Sequence, residues 1–311
     1  MAAAPIERWI VVGVDGSPSS AGAVRWACLL APVLGADVAA VHAVGLLERL
    51  DGELVPAHSH RADIATVMTR DWCAPLSVAG LRHRVHLREQ PAVDALLGEI
   101  ADLHPHLAIV GTRGAGLSSA ESIGSTALRL LHDAPVPVVV VPDTAQEAPP
   151  ALRRVLVGVD GGAPSLAAID WAAELARRTG ASCELLTATL HGPGAEQDAG
   201  PDGGPDEVDH MRRLGASIEA WSTPFRWNKV PLRTTVCGGD PADQLVRRAR
   251  EVDADLVVLG ASGRGPAGAP LAGSTSRRVA HAAGCAVAVV RVGAPLTRQP
   301  VPAGRSAQLG G

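Results

Sequence analysis

Residues 111–141, GTRGAGLSSAESIGSTALRLLHDAPVPVVVV, decide the fold. An apolar run over residues 107–110 precedes them and has the character of a buried strand. Two glycines, a further loop and Gly124-Ser125-Thr126 then lead into a stretch with helical spacing. A strand, a glycine-rich loop and a helix N-terminus together can hold phosphate, because glycines let the backbone approach closely and the first N–H groups of a helix favour an anion. The stretch therefore predicts an anion site.

The same arrangement occurs twice in the chain. A second apolar run, residues 256–259, leads into glycines, a serine and a threonine that repeat the first set 149 positions later: Gly260, Gly263, Gly273, Ser274 and Thr275. The start of the chain repeats as well, since residues 10–16 return as residues 155–161 at an offset of 145. Two unrelated glycine loops would not also agree in their first strands. The chain is therefore a tandem duplication.

Strands alternate with helices in each copy, which predicts a parallel α/β sheet. We predict two tandem doubly wound domains with strand order 3-2-1-4-5, of the nucleotide-binding α/β hydrolase-like or Rossmann-like type, and the length of 311 residues fits two domains. Within the first domain, residues 45–58 are predicted to be a loop and residues 59–78 one helix. The predicted boundaries are 1–142 for the first domain, 143–151 for a linker, 152–292 for the second domain and 293–311 for a disordered tail, with a mobile loop over 192–205.

Topology brings the distinctive residues of each copy together. In a doubly wound sheet, ligands lie at the carboxyl ends of the neighbouring first and fourth strands. The first strand ends at Asp15 or Asp160, and the fourth ends at Gly111 or Gly260. A carboxylate beside a phosphate loop is unfavourable unless it binds something else, such as a ribose hydroxyl or a metal ion. The alternative is that both aspartates only cap the following helices.

With these two motifs, the chain resembles the universal stress protein family. The motif V-x-V-D-G-S at the first strand and G-x-x-G-x9-G-[ST] after the fourth resemble its signature, and the likeness covers nearly all of residues 6–292. It implies an ATP-binding stress-response regulator, with or without Mg²⁺, with two nucleotide sites per chain. It also implies no catalytic residues and at most slow ATP hydrolysis.

The resemblance also assigns roles to residues. Asp15 and Asp160 would hold the ribose, backbone near Val41 and Leu186 would meet adenine, and the glycine loops would hold the phosphates. The cofactor-binding residues implied in the first copy are Gly13, Asp15, Val41, Gly111, Arg113, Gly114, Gly124, Ser125 and Thr126. Those implied in the second copy are Gly158, Asp160, Leu186, Gly260, Ser262, Gly263, Arg264, Gly273, Ser274 and Thr275.

The two copies depart from the family pattern in different ways. Relatives commonly carry an aromatic residue in the nine-residue gap, and neither copy has one. Glu121 places an acid near the expected phosphates of the first site, which either weakens that site or recruits magnesium. Arg113 has Ser262 as its counterpart in the second copy. The order of the two affinities is left open.

Composition and missing motifs exclude other classes. The net charge of −4 gives no reason to expect a nucleic-acid partner. The longest apolar runs are too short for a membrane span, and the first residues lack signal-peptide features, so we expect a cytoplasmic protein without a membrane partner. Five scattered cysteines are expected to be reduced thiols, and no metal site is expected. Lys229, the only lysine, follows no glycine loop, which argues against a P-loop enzyme.

Two further expectations concern partners. Each copy ends in an apolar edge strand, residues 136–141 and 287–292, and such an edge invites pairing. We therefore expect the two domains to form a pseudo-dimer within the chain, while pairing of two chains as a homodimer is left open. A scaffold without functional nucleotide binding, and a slow ATPase, remain as alternative functions; the sequence names no protein partner.

Overall fold

The computed structural model describes residues 8–45, 47–50, 53–114, 123–143, 148–189, 205–261 and 273–293. Strands and helices alternate in both copies. The elements of the first copy are β1 (Trp9–Gly13), α1 (Pro18–Leu34), β2 (Asp37–Ala43), β3 (Leu47–Leu50), β4 (Glu53–Pro56), α2 (Arg61–Val67), α3 (Ala74–Val78), β5 (His83–Arg88), α4 (Ala92–Leu103), β6 (Leu107–Gly111), α5 (Ser125–Asp133) and β7 (Val138–Val141). Those of the second copy are β8 (Arg154–Gly158), α6 (Ala163–Thr179), β9 (Ser182–Thr189), α7 (Pro205–Trp227), β10 (Leu232–Gly238), α8 (Pro241–Glu251), β11 (Leu256–Gly260), α9 (Ser274–Ala282) and β12 (Ala286–Val290).

The strands of both copies form one ten-stranded sheet with the order β10-β9-β8-β11-β12-β7-β6-β1-β2-β5. Outside the separate β3–β4 hairpin, the first copy therefore has the order 3-2-1-4-5, and the second copy has it as well. Neighbouring strands within each copy are parallel. The predicted fold class and strand order are confirmed.

The two copies meet along one antiparallel strand pair. β7 and β12 pair in register, with Val139 opposite Ala288. Because every other pair in this sheet is parallel, the strands of the second copy run opposite to those of the first. The carboxyl ends of the two sets of strands consequently lie at opposite edges of the sheet.

Helices cover both faces of the sheet. One face carries α1 and α6, whose Trp26 and Trp171 are buried in a single core that spans both copies. The other face carries α4, α5, α8 and α9 over a second core. Both tryptophans thus belong to the hydrophobic core, in agreement with the usual place of such residues.

Local signals explain where α1 begins and ends. Ser17 is its N-cap, and its side-chain oxygen accepts a hydrogen bond from the backbone N–H of Ser20 at 3.2 Å. Pro18 occupies the first turn, where its missing N–H costs nothing. Gly35 ends the helix in the left-handed conformation, with φ of 60°.

Two details of the first copy differ from expectation. The segment predicted as a loop over residues 45–58 contains the antiparallel hairpin of β3 and β4. The helix predicted over residues 59–78 is interrupted by a π turn, Met68–Trp72, and α3 starts anew with Pro75 in its first turn. Proline cannot continue the previous helix because it lacks the N–H that the ladder needs. Most of the loop over 192–205, part of the linker and nearly all of the tail lie outside the described residues.

Candidate functional site

The first copy contains a cavity of about 340 Å³ at the carboxyl ends of its strands. Every residue that the sequence predicted for this site lines the cavity: Gly13, Asp15, Val41, Gly111, Arg113, Gly114, Gly124, Ser125 and Thr126. They come from the ends of β1, β2 and β6, from the glycine loop and from the start of α5. The fold thus brings together residues that are more than 110 positions apart in the sequence.

Asp15 is held in a fixed orientation at the end of β1. Its Oδ1 accepts hydrogen bonds from the backbone N–H of Ser17 at 3.0 Å and from the hydroxyl of Ser17 at 2.6 Å. Its Oδ2 lies so close to Gly114 that a Cβ added there would come within 2.8 Å of it. The carboxylate therefore both supports the turn that starts α1 and forms a wall of the cavity.

The other end of the cavity presents backbone donors. Helix α5 has Gly124 as its N-cap, and Gly124 offers no side-chain oxygen to the first N–H groups of the helix. Ser125, Thr126 and Ala127 of this first turn line the cavity. The backbone N–H of Gly124 donates to the carbonyl oxygen of Thr112 at 2.7 Å, which fixes the helix start against the end of β6. A helix N-terminus so placed favours an anion.

Gly111 is required by packing. A Cβ at this position would overlap the side chain of Ser19 and approach its backbone carbonyl carbon to 2.8 Å. The Ser19 hydroxyl instead donates to the carbonyl oxygen of Arg113 at 2.5 Å. This contact ties the glycine loop to the first turn of α1, so Gly111 sets the width of the crevice.

The second copy has a related cavity of about 310 Å³. Of its predicted residues, Gly158, Asp160, Leu186, Gly260 and Thr275 line it. Gly273 and Ser274 stand at the start of α9 and are not among the lining residues, whereas Ser262, Gly263 and Arg264 lie outside the described residues.

The wall that carries the acid is built differently in the second copy. Oδ1 of Asp160 accepts one hydrogen bond, from the backbone N–H of Gly162 at 2.9 Å. Pro164 stands where the first copy has Ser19, so this position has no hydroxyl group to donate. A Cβ on Gly260 would come within 2.5 Å of the backbone nitrogen of Ser165, so close packing again requires glycine.

The sequence prediction missed an aromatic cluster beside the first cavity. His42, on β2, lines the cavity, and its Nδ1 donates to the carbonyl oxygen of Val14 at 2.7 Å. The ring of Trp72 packs edge-on against His42, with centroids 5.1 Å apart. Trp72 also covers Gly16, whose φ of 76° places it in the left-handed region.

The second copy keeps half of this cluster. Trp221 covers Gly161 in the same way, and a Cβ there would lie 3.2 Å from its ring. Thr187 stands where the first copy has His42. The offset of 149 between Trp72 and Trp221 was a usable signal, because it matches the offset of the glycine loops.

Arg113 extends from the first cavity toward the second copy. Its guanidinium binds the carboxylate of Asp143 at 2.5 Å, just beyond the end of β7. Arg113 and Asp143 also line a smaller cavity of about 200 Å³, together with Arg250 and His281 of the second copy. The end of the first crevice at Arg113 thus adjoins the junction between the copies.

Thiol and metal chemistry find little support in the described part of the chain. All five cysteines are free thiols. Burial raises the pKa of Cys73, Cys183 and Cys285 to about 12 in each case, so these thiols stay protonated near neutral pH. Among the described residues, no group of three or more His, Cys, Asp or Glu side chains is placed to hold a metal ion.

This geometry defines a class of protein with two tandem doubly wound α/β domains, each with a crevice beside an aspartate at the carboxyl ends of its strands. The model of the universal stress protein family matches residues 8–142 and 151–291. The chain belongs to the universal stress protein family.

Individual relatives match along almost the whole chain. A universal stress protein of Mycolicibacterium smegmatis is 30% identical over 296 residues, covering 92% of this chain and 97% of that protein. One from Mycobacterium tuberculosis is 32% identical over 291 residues, covering 91% and 96%. The crystal structure of a universal stress protein from Archaeoglobus fulgidus superposes with a TM-score of 0.67 at 18% identity, covering 92% of this chain and 98% of that one. No described helix is both long and apolar enough to cross a membrane.

Proposed function

We propose that each copy binds an adenine nucleotide, ATP, and that the chain is a nucleotide-dependent regulator of a stress response. The observation that carries the proposal is the convergence of Asp15, the glycine loop and the start of α5 on one cavity. A cavity of about 340 Å³ lies within the size range of small-molecule sites.

The polarity of the cavity fits a nucleotide in one orientation. The first N–H groups of α5 stand at one end and would bind phosphate oxygens. Val41 and Leu96 supply an apolar surface at the other end, where the base would lie. Asp15 is between them and, as an acceptor, would bind ribose hydroxyl groups. The reverse orientation would place the charged phosphates on the apolar surface and leave the first N–H groups of α5 without an anion, so it is disfavoured.

Magnesium would bind chiefly through the phosphates. Mg²⁺ keeps several waters and takes one or two carboxylates besides phosphate oxygens. Asp15 lines the first cavity, but its Oδ1 is already engaged by Ser17. Glu121, which the sequence offers as a second acid, lies outside the described residues. We propose ATP with or without Mg²⁺.

We propose a regulator with at most slow ATP hydrolysis. Phosphoryl transfer needs a positioned nucleophile and cations that stabilise the developing charge. Arg113 is the cationic side chain that lines the first cavity among the described residues, and it is paired with Asp143. The alternative functions are a scaffold without functional nucleotide binding and an ATPase.

The assembly of the chain is part of the proposal. We propose domains over residues 1–142 and 152–292, joined by a linker over 143–151, with 293–311 as a disordered tail. The β7–β12 pair supports an intramolecular pseudo-dimer, because it closes the apolar edge that each copy would otherwise expose. A cytoplasmic location stays an expectation.

The test uses purified full-length protein. Denaturation followed by chromatography of the supernatant should release ATP or ADP, and calorimetry on stripped protein should show two binding events for ATP. Asp15→Asn and Asp160→Asn should each weaken one event, because the ribose loses a charged acceptor. Asp37→Asn is the control, since Asp37 pairs with Arg82 at the amino end of β2, away from the crevice. Absence of any released or bound nucleotide would leave the scaffold alternative.

A further inference from the structure

We propose that Asp143 determines how the first crevice discriminates between adenine ligands by the charge of their phosphate chain, because it competes with those phosphates for Arg113. This inference rests on the proposed nucleotide function of the first site. Asp143 lies outside the glycine loop and is not among the residues that line the first crevice.

A hydrogen bond holds the backbone of Arg113 in place, whereas its guanidinium can exchange one anionic partner for another. Its carbonyl oxygen accepts from the hydroxyl of Ser19 at 2.5 Å, which holds the residue at the phosphate end of the cavity. Its guanidinium binds Asp143 at 2.5 Å, and the two side chains are 29% and 31% exposed. An ion pair this accessible to solvent exchanges partners at small cost. A phosphate group is a bidentate partner of the same kind as the carboxylate.

The surroundings of Asp143 include a second arginine. Asp143 lines the cavity of about 200 Å³ at the junction between the copies, together with Arg250 and His281 of the second copy. When a phosphate chain takes the guanidinium of Arg113, the guanidinium of Arg250 is a replacement that lines the same cavity. Occupation of the first crevice would thereby move an ion pair from within the first copy to the boundary between the copies.

The chain itself provides the comparison. The position equivalent to Arg113 is Ser262, and the position equivalent to Asp143 is Val292, both 149 residues later. Val292 is 63% exposed. Both members of the ion pair are therefore absent from the second copy together, as expected for two residues that act as one unit. The second site should lack this competition.

Charge then separates the ligands of the first site. Adenosine carries no phosphate and leaves the Arg113–Asp143 pair intact. ATP carries the largest charge and competes most strongly. Removing the charge of Asp143 should accordingly favour ATP more than adenosine, whereas a residue that only stabilises the fold would affect both ligands alike.

The experiment is calorimetry with ATP and adenosine on the full chain and three variants, Asp143→Asn, Arg113→Gln and the double variant. We expect Asp143→Asn to tighten one ATP binding event about threefold or more, the order of an exposed ion pair, and to leave adenosine unchanged. Arg113→Gln should weaken ATP about tenfold, since it removes a charged donor. In the double variant, Asp143→Asn should add nothing, because its effect requires Arg113. Asp37→Asn, which removes a carboxylate from another arginine pair, should change neither ligand.

The outcomes separate this inference from the proposed function. Equal changes for ATP and adenosine, weaker ATP binding in Asp143→Asn, or no change at all would overturn the role of Asp143 while leaving nucleotide binding in place. The same holds if Asp143→Asn acts in the Arg113→Gln background. Failure of the wild-type chain to bind either ligand would overturn the proposed function, and this inference with it.

Discussion

Glu99 on α4 and Arg248 on α8 occupy equivalent positions in the two copies, 149 residues apart, and carry opposite charges. The Glu99 carboxylate accepts from Nδ1 of His86 at 2.6 Å and from the guanidinium of Arg88 at 2.5 Å. Arg248 instead donates to Glu184, on the neighbouring strand β9, at 2.8 Å. Each copy thus has an ion pair at the same place between a helix and the outer strands. The helix carries the acidic partner in the first copy and the basic partner in the second.

Glu99 should be important for stability. Its side chain is 1% exposed, and Glu99→Gln would leave Arg88 and His86 without their carboxylate. Because Arg88 is 38% exposed and can turn to water, the loss should be smaller than for a fully buried ion pair, about 1–3 kcal/mol. Urea denaturation at neutral pH should show a loss of this order. Asp102→Asn is the matched control: Asp102 is 68% exposed, lies 3.6 Å from Arg88, and should cost less than about 1 kcal/mol. Equal losses in both variants would contradict the prediction.

Glu174 should make part of the stability depend on pH. Hydrogen bonds from Arg177 and Arg178 lower the pKa of Glu174 from 4.5 to about 2. The folded-state pKa is below the unfolded one, so the contribution is complete once the pH is well above 4.5 and is lost as the pH falls through about 2. Glu174→Gln should therefore cost about 1 kcal/mol at pH 7, and this cost should fall steadily as the pH is lowered toward 2.

The measurement is the free energy of unfolding of wild type and Glu174→Gln over this pH range. Glu89→Gln serves as control, because Glu89 forms an ion pair with Arg61 in which the two side chains are 72% and 46% exposed. Its effect should be near zero throughout. A constant difference between wild type and Glu174→Gln would show that the hydrogen bonds from the arginines are not the cause.

Two glycines should respond to alanine in opposite directions. Gly111→Ala would press a Cβ against the backbone of Ser19, which cannot move without shifting the start of α1, and should cost about 1–3 kcal/mol. Gly98→Ala, in the exposed middle of α4, would meet nothing within 4 Å. It should stabilise the protein by about 0.5–1 kcal/mol, since alanine loses less backbone entropy in a helix. Thermal denaturation without ligand distinguishes them, and equal changes would refute the packing argument.

The junction strands should let separate halves recognise each other. Residues 1–150 and 151–311, produced as two polypeptides, would each expose an apolar edge, β7 or β12. We expect them to associate with each other or with themselves, since unpaired edge strands seek a partner. Size-exclusion chromatography with light scattering gives the answer. Two stable monomeric halves that do not bind each other would argue against the pseudo-dimer.

The sequence predicted the sheet order and the crevice because their determinants are local and occur twice. Asp15 and Gly111 each follow a recognisable strand, and parallel topology brings strand ends together whatever the loops do. The hairpin of β3 and β4 was missed although Asp51-Gly52, a typical two-residue hairpin connection, stands between its strands in the sequence. The strand residues themselves carry no clear alternation of apolar and polar side chains.

Contacts made across the fold were beyond reach from sequence. The repeat of Trp72 as Trp221 marks the position of the tryptophan, but no spacing in the sequence specifies that Trp72 packs on His42, which lies on a strand 30 residues earlier. The Arg113–Asp143 pair depends on the path of the chain after β7. Such contacts follow from side-chain placement in three dimensions, which a pattern of residue types does not determine.

The antiparallel pairing of Val139 with Ala288 determines the directions in which the two crevices open. Since the strands of the two copies run in opposite directions, their crevices open toward opposite sides of the molecule. A single small ligand cannot span the two crevices, and a partner bound at one crevice would not contact the other directly. If both crevices bind a ligand as proposed, the two ligands would therefore lie apart at opposite ends of the sheet, and the duplication would not form one cleft that closes on a single molecule.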